Sequence, residues 1–157
     1  MIVTHEVPED FIQQIINCNP PLLFSWNASQ IQEHLNQNHS YNLFCLSEEG
    51  LVGFLLSSLL PIGNECEGEL FHIEVFPKHQ RGGVATRLIE SLHQKCQNSF
   101  KKSVIYLETA KTNHFAINFY EKMGYKTYNE RKNYYGSTTI APHSNIALLF
   151  SITLDGQ

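Results

Sequence analysis

Apolar residues recur along this chain with two periods, and the alternation between them predicts its elements. Phe11, Ile12, Ile15 and Ile16 keep helical spacing and predict a first helix of about ten residues, stopped by Asn19-Pro20-Pro21. A second helix is expected from Ser29, or from Asn27 as its cap, carrying Ile31 and Leu35 inward. Leu22 to Trp26 between them is either packed against the core or an apolar wall of a substrate site. Tyr41 to Leu46 and Leu51 to Leu60 read as strands of a hairpin turning at Ser47-Glu48-Glu49-Gly50.

Ile62 to Gly68 is polar and acidic and is expected to be a loop, followed by a strand from Glu69 to Phe76. On that strand simple alternation puts Phe71, Ile73 and Val75 on one face and Leu70, His72, Glu74 and Phe76 on the other. After Pro77 a helix is expected near Gly83, with Val84, Leu88, Ile89, Leu92 and Cys96 on one stripe and its end near Asn98. Val104 to Thr109 is apolar on both faces, as a central strand is. Thr112-Asn113 can cap a helix that buries Ala116, Ile117, Phe119, Tyr120 and Met123 and stops at Gly124. Tyr125 to Tyr128 and Ile146 to Leu154 complete the strands, with a polar, aromatic and basic loop from Arg131 to about Ser144.

The order of elements predicts an α/β (α+β) protein, and 157 residues suit one domain over 1–157 with its own core. The hydrophobic share of 42% and net charge of −4 describe a soluble globule without the basic surface that nucleic acid requires. The N-terminus has no charged lead and apolar run, and Leu51 to Ile62 is too short and interrupted to span a bilayer, so a cytoplasmic protein is expected. Cys18, Cys45, Cys66 and Cys96 form no CxxC pair and the eight histidines no ligand spacing, so no metal is expected and the thiols should be reduced. Monomer and homodimer both stay open.

Two stretches carry chemistry. Where the strand ending at Phe76 gives way to a helix, Gln80-Arg81-Gly82-Gly83 leaves helix N-terminal amides near glycines that let an anion approach, with Lys78, His79 and Arg81 adding charge. An ordinary strand-to-helix turn is the plainer reading of a bare Gly-Gly. Neither a Gly-Lys-Ser/Thr phosphate loop nor GxGxxG is present. Glu108, on the face of Val104 and Tyr106, is either a base whose proton affinity burial raises or a carboxylate at an edge position or in a salt bridge.

Gln80-Arg81-Gly82-Gly83-Val84-Ala85 resembles the Q/R-x-x-G-x-G/A signature of the GCN5-related N-acetyltransferase (GNAT) family. Leu107 to Lys126, LETAKTNHFAINFYEKMGYK, resembles the second half of that family's core, and Arg131 to Tyr135, RKNYY, the branch that acetylates ribosomal-protein alanine. The resemblance implies a mixed, mostly antiparallel sheet of six to seven strands flanked by about four helices, and acetyl transfer from acetyl-CoA to a primary amine. It implies that Ile73 and Val75, flanking Glu74, offer backbone groups to the pantetheine arm and thioester carbonyl. Gln80, Arg81, Gly82, Gly83, Val84 and Ala85, with Thr86 in the same helical turn, would hold the pyrophosphate, and Asn113 would hydrogen-bond the cofactor. Glu108 would be the base, with Glu74 as the alternative, and Tyr120 the acid facing the sulfur. A core aromatic is the plainer reading of Tyr120. The acceptor implied is a protein or peptide N-terminal α-amine, with a lysine side chain or a small-molecule amine as alternatives, and a non-catalytic acyl-CoA-binding module as the competing class. Leu107-Glu108-Thr109-Ala110 departs from the branch's LEVR and Ile146-Ala147 from its Asp-Ala, which bears on the acceptor and leaves acetyl-CoA untouched.

Overall fold

The computed structural model describes residues 1–17, 26–132 and 146–157. Seven strands form one sheet in the order β1-β2-β3-β4-β5-β7-β6. They are β1 (Ile2–Thr4), β2 (Ser40–Ser47), β3 (Gly50–Ile62), β4 (Glu65–Val75), β5 (Lys102–Ala110), β6 (Lys126–Lys132) and β7 (Ile146–Asp155). Every neighbouring pair is antiparallel except β4 and β5. The helices are α1 (Phe11–Ile16), α2 (Ala28–Leu35), α3 (Val84–Ser99) and α4 (His114–Lys122).

The sheet carries a core on each face, which explains the runs that are apolar on both sides. Leu55, Cys66, Leu70, Leu88, Leu92, Ile105 and Phe150 belong to the cluster under α3, with Tyr120 of α4. Phe11, Ile15, Ile31, Phe44, Phe54 and Leu56 form the other, under α1 and α2. At six residues α1 is too short to stand alone and is shorter than the ten expected. Phe11 pins it, edge-on to Phe44 at 4.7 Å and to Phe54 at 5.0 Å. α2 starts where the sequence places it, with Asn27 and Gln30 exchanging the two bonds of a capping box.

Four expectations need correction. β1 has no counterpart in the sequence reading: three residues cannot display a period, and they pair with Phe44 to Leu46. Glu65 to Gly68 is strand, since Cys66, Gly68 and Leu70 are buried while Glu65, Glu67 and Glu69 face outward. β6 runs on to Lys132 as an edge strand exposed throughout, so hydrophobic pattern could not mark its length. Finally, the faces of β4 change at a bulge. Ser57 pairs with Leu70 and Leu56 with His72, which leaves Phe71 as the extra residue. Leu70 therefore shares the α3 face with Ile73 and Val75. The expected stop at residues 19–21, Leu22 to Ser25, Cys18 and the loop from residue 133 lie outside the described residues.

Cys45, Cys66 and Cys96 are free and buried, and burial pushes the Cys96 thiol up to about 11. Among the described residues no group of three metal-ligating side chains occurs, and no helix is long and apolar enough to cross a membrane.

His93 of α3 meets the hydroxyl of buried Tyr125 at 3.1 Å, and burial pulls its imidazole down from 6.5 to about 4. The folded state holds it neutral, so the unfolded chain binds the proton more readily and stability should fall as pH drops from about 6.5 to about 4. After allowance for screening of this half-buried ring, the loss is about 1–2 kcal/mol. Urea midpoints at pH 7 and pH 4.5 measure it, and His93→Gln, which keeps a partner for Tyr125 but does not titrate, should narrow the gap between them.

Candidate active site

β4 and β5 run side by side only from Glu65↔Lys102 to Leu70↔Leu107. Beyond Leu107, β5 stays with β7 as far as Ala110↔Ala147, and β4 continues with β3 as far as Val75↔Gly53. The two strands part, and among the described residues no strand lies beside that edge of β4 after Leu70. Phe76 N–H donates to the Val52 carbonyl at 2.9 Å. Bonded residues alternate along an antiparallel ladder, so Glu74 and His72 also address β3, and Ile73 and Val75 turn their N–H and C=O groups into the divide. The Val75 carbonyl is indeed met from that side, by Gln80 Nε2 at 3.0 Å.

Because the two strands are parallel, both lead into helices at the same end of the sheet. β4 passes through a 3₁₀ turn, Pro77–His79, to α3, and β5 passes directly to α4. Arg81 (φ 63°) and Gly83 (φ 78°) are left-handed while Gly82 between them is not. Alternating handedness of this kind curls successive amides around an anion-sized hollow. Gly83 is the N-cap of α3, and among the described residues no side-chain hydrogen bond caps the helix. The turn is set low by Gly53, where a Cβ would lie 2.8 Å from the Glu74 carbonyl and 2.9 Å from Val84 Cγ1. Only glycine on β3 lets the first turn of α3 rest there. Val84 is buried in this contact, and Ala85 and Thr86 are half-buried in the same turn. Uncapped amides, a hollow without a Cβ at its centre and exposed Lys78 and Arg81 together suit a diphosphate.

Across the divide, Asn113 caps α4 by accepting from Ala116 N–H at 3.1 Å. Tyr120 is buried among Phe119, Tyr125 and Phe150, in the same cluster that Ile73, Val75 and Val84 belong to. Burial holds its phenol above the ordinary value.

The opposite face of the sheet holds the carboxylates. Glu108 Oε1 lies 2.9 Å from the Arg131 guanidinium, which reaches it over β7. This is the salt bridge that the sequence reading set beside the catalytic role. Glu74 sits on the same side of β4 as His72, 3.4 Å from its Nε2, as alternation predicts past the bulge. Beside Glu108 opens a cleft of about 400 Å³, floored by Glu67, Glu69 and Tyr106 and walled by Tyr128 and Arg131. Sequence reasoning did not identify Glu69, Tyr106, Tyr128, Arg131 or Gly53 as site residues. The alternation Glu65, Glu67, Glu69 against Cys66, Gly68, Leu70 was the available signal for the first.

Parallel strands that part beside two helix N-termini define a class of α/β proteins that take a phosphate-bearing ligand at the divide. The chain belongs to the acetyltransferase (GNAT) family, whose model matches residues 9–125. It is 35% identical over 135 residues to an N-alpha-acetyltransferase of Saccharolobus solfataricus, which covers 80% of this chain and 81% of that protein. It is 30% identical over 118 residues to the ribosomal protein bS18 alanine N-acetyltransferase of Escherichia coli, covering 73% and 74%. The first curated relatives are matched over 45% to 81% of their own length. Its fold is that of the crystallised ribosomal-protein-S18-alanine N-acetyltransferase from Escherichia coli, with a TM-score of 0.79 at 19% identity over 99% of this chain and 95% of the other. This protein is therefore an N-acetyltransferase that uses acetyl-CoA.

Proposed function

We propose that the acceptor is the α-amine of a protein or peptide N-terminus, and that acetyl-CoA lies along the divide between β4 and β5. The observation that carries this reading is the free edge of β4, Ile73 to Val75, set between an anion-suited turn and Glu108. The Ile73 and Val75 backbones would hold the pantetheine arm and the thioester carbonyl. The turn Gln80 to Ala85, with Thr86, would hold the pyrophosphate. Asn113, its Oδ1 committed to the helix cap, has Nδ2 left to offer. Acetyl-CoA supplies the electrophilic carbonyl and a thiol leaving group.

An amine attacks only when neutral, and an α-amine with a pKa of about 8 asks less of a base than a lysine at about 10.4. Glu108 accepts a proton from it, with Glu74 on the same face as the alternative. Backbone N–H groups at the free edge stabilise the oxyanion. Tyr120, kept protonated by burial, donates a hydrogen bond to the departing sulfur. The names of the two relatives at 35% and 30% identity support an N-terminal acceptor.

Mass spectrometry after incubation with labelled acetyl-CoA and a panel of acceptors tests the reading: a peptide with a free N-terminus, an N-blocked lysine peptide and a polyamine. Label on the free N-terminus is expected; label on lysine alone would overturn the acceptor. Tyr120→Phe, which keeps the packed ring, should lower turnover by about 10²-fold with little change in acetyl-CoA affinity by calorimetry.

A further inference from the structure

We propose that Arg131 reads the carbonyl of the acceptor's first residue, so that the Glu108–Arg131 pair selects an amine with a carbonyl one carbon away. The inference rests on the N-terminal acceptor proposed above and holds whichever carboxylate is the base.

The pair is built across β5, β7 and β6. Glu108 stands opposite Leu149 on β7, while Arg131 on β6 stands opposite Ala147, which in turn pairs with Ala110 of β5. Residues directly opposite one another in such a ladder, and alternate residues along a strand, share a face. Arg131, Ala147, Ala110 and Glu108 therefore lie on one side of the sheet, and the small Ala147 leaves the long side chain room to cross β7. Arg131 Nη2 meets Glu108 Oε1 at 2.9 Å.

That bond occupies one carboxylate oxygen. The other, Oε2, is buried and has no hydrogen-bond partner among the described residues, although an ionised carboxylate accepts on both oxygens. Glu108 lines the cleft of about 400 Å³, so an orphaned oxygen there calls for a donor from outside the chain, and the substrate amine is one. Arg131 supplies the opposite need. Its guanidinium is a planar fork of N–H donors, and the side chain is about half exposed where it walls the cleft.

Once an α-amine sits against Oε2, its carbonyl is one carbon further on, within reach of the guanidinium that holds Oε1. Amine, carboxylate, guanidinium and carbonyl then close a ring of hydrogen bonds. Among the described residues that line the cleft, Arg131 is the one cation, against Glu67, Glu69 and Glu108, and so the strongest donor that a carbonyl meets there. The nearest carbonyl of a lysine side-chain amine lies a whole side chain away, and a polyamine has none. Neither closes the ring.

A cycle that varies enzyme and substrate together isolates the contact. The substrates are a peptide with a free N-terminus and its analogue with an alkene in place of the first peptide bond, which keeps the shape and loses the carbonyl oxygen. Wild type should favour the peptide over the analogue in kcat/KM by a margin about tenfold larger than Arg131→Gln does, with the difference carried by KM. Each margin is taken within one enzyme, so any change in stability or acetyl-CoA binding cancels, as does the difference in basicity between the two amines. Equal margins would overturn the proposal, because Arg131 would then serve Glu108 or the edge strand alone. A wild-type enzyme that labels the N-blocked lysine peptide and not the free N-terminus would instead overturn the acceptor itself, and the two failures are told apart.

Discussion

Glu108→Gln is expected to reduce turnover by about 10²-fold and to change the shape of the pH–rate profile, with acetyl-CoA binding intact. The substitution is nearly isosteric, so Leu107 and Thr109, buried on the other face of β5, keep their packing. What it removes is a charge. The charge pair with Arg131 is lost, and nothing on β5 then takes a proton as the nitrogen–carbon bond forms. Arg131→Gln makes a control for the ion pair, because it unclamps Glu108 without removing the carboxylate. If pairing only positions Glu108, this control should change the rate far less than Glu108→Gln. An unchanged profile in Glu108→Gln together with lost activity in Glu74→Gln would transfer the base to Glu74.

Gly83→Val should have its largest effect on acetyl-CoA affinity. At φ 78° a β-branched residue is strained, and nothing lies within 4 Å of the added Cβ, so the cost is one of backbone conformation and not of collision. Relaxing that strain turns the amides at the start of α3 away from the hollow. A loss of about 1–2 kcal/mol in binding, roughly five- to thirtyfold in Kd, follows from the left-handed penalty. Thermal shift reads it: ligand at 100 times its Kd adds about 2.7 kcal/mol to the wild type and should add much less to the variant. Gly82→Ala, whose Cβ would meet the His79 carbonyl at 3.4 Å and whose φ is not left-handed, should be milder.

Periodicity identified most elements because each helix and most strands bury one face. It failed where that signal is missing: the three residues of β1, the exposed edge strand β6, and Glu65 to Gly68, whose acidic alternate positions resemble a loop. The bulge at Phe71 was invisible for a different reason. Strict alternation assumes one residue per step, and only pairing with β3 shows that β4 has one too many. Leu70 consequently moved to the α3 face, while Glu74 stayed opposite it with His72.

The sequence by itself determined the local chemistry: a glycine turn opening a helix, a carboxylate on a central strand, a phenol on the helix after it, and motifs sufficient for the family. Such features are set by neighbours in the chain, through dihedral freedom, capping and alternation. Tertiary structure alone decided what those groups face. The parting of β4 from β5, the reach of Arg131 over β7 and the nearness of Glu69 to Glu108 depend on contacts between residues far apart in sequence, and no local pattern encodes them.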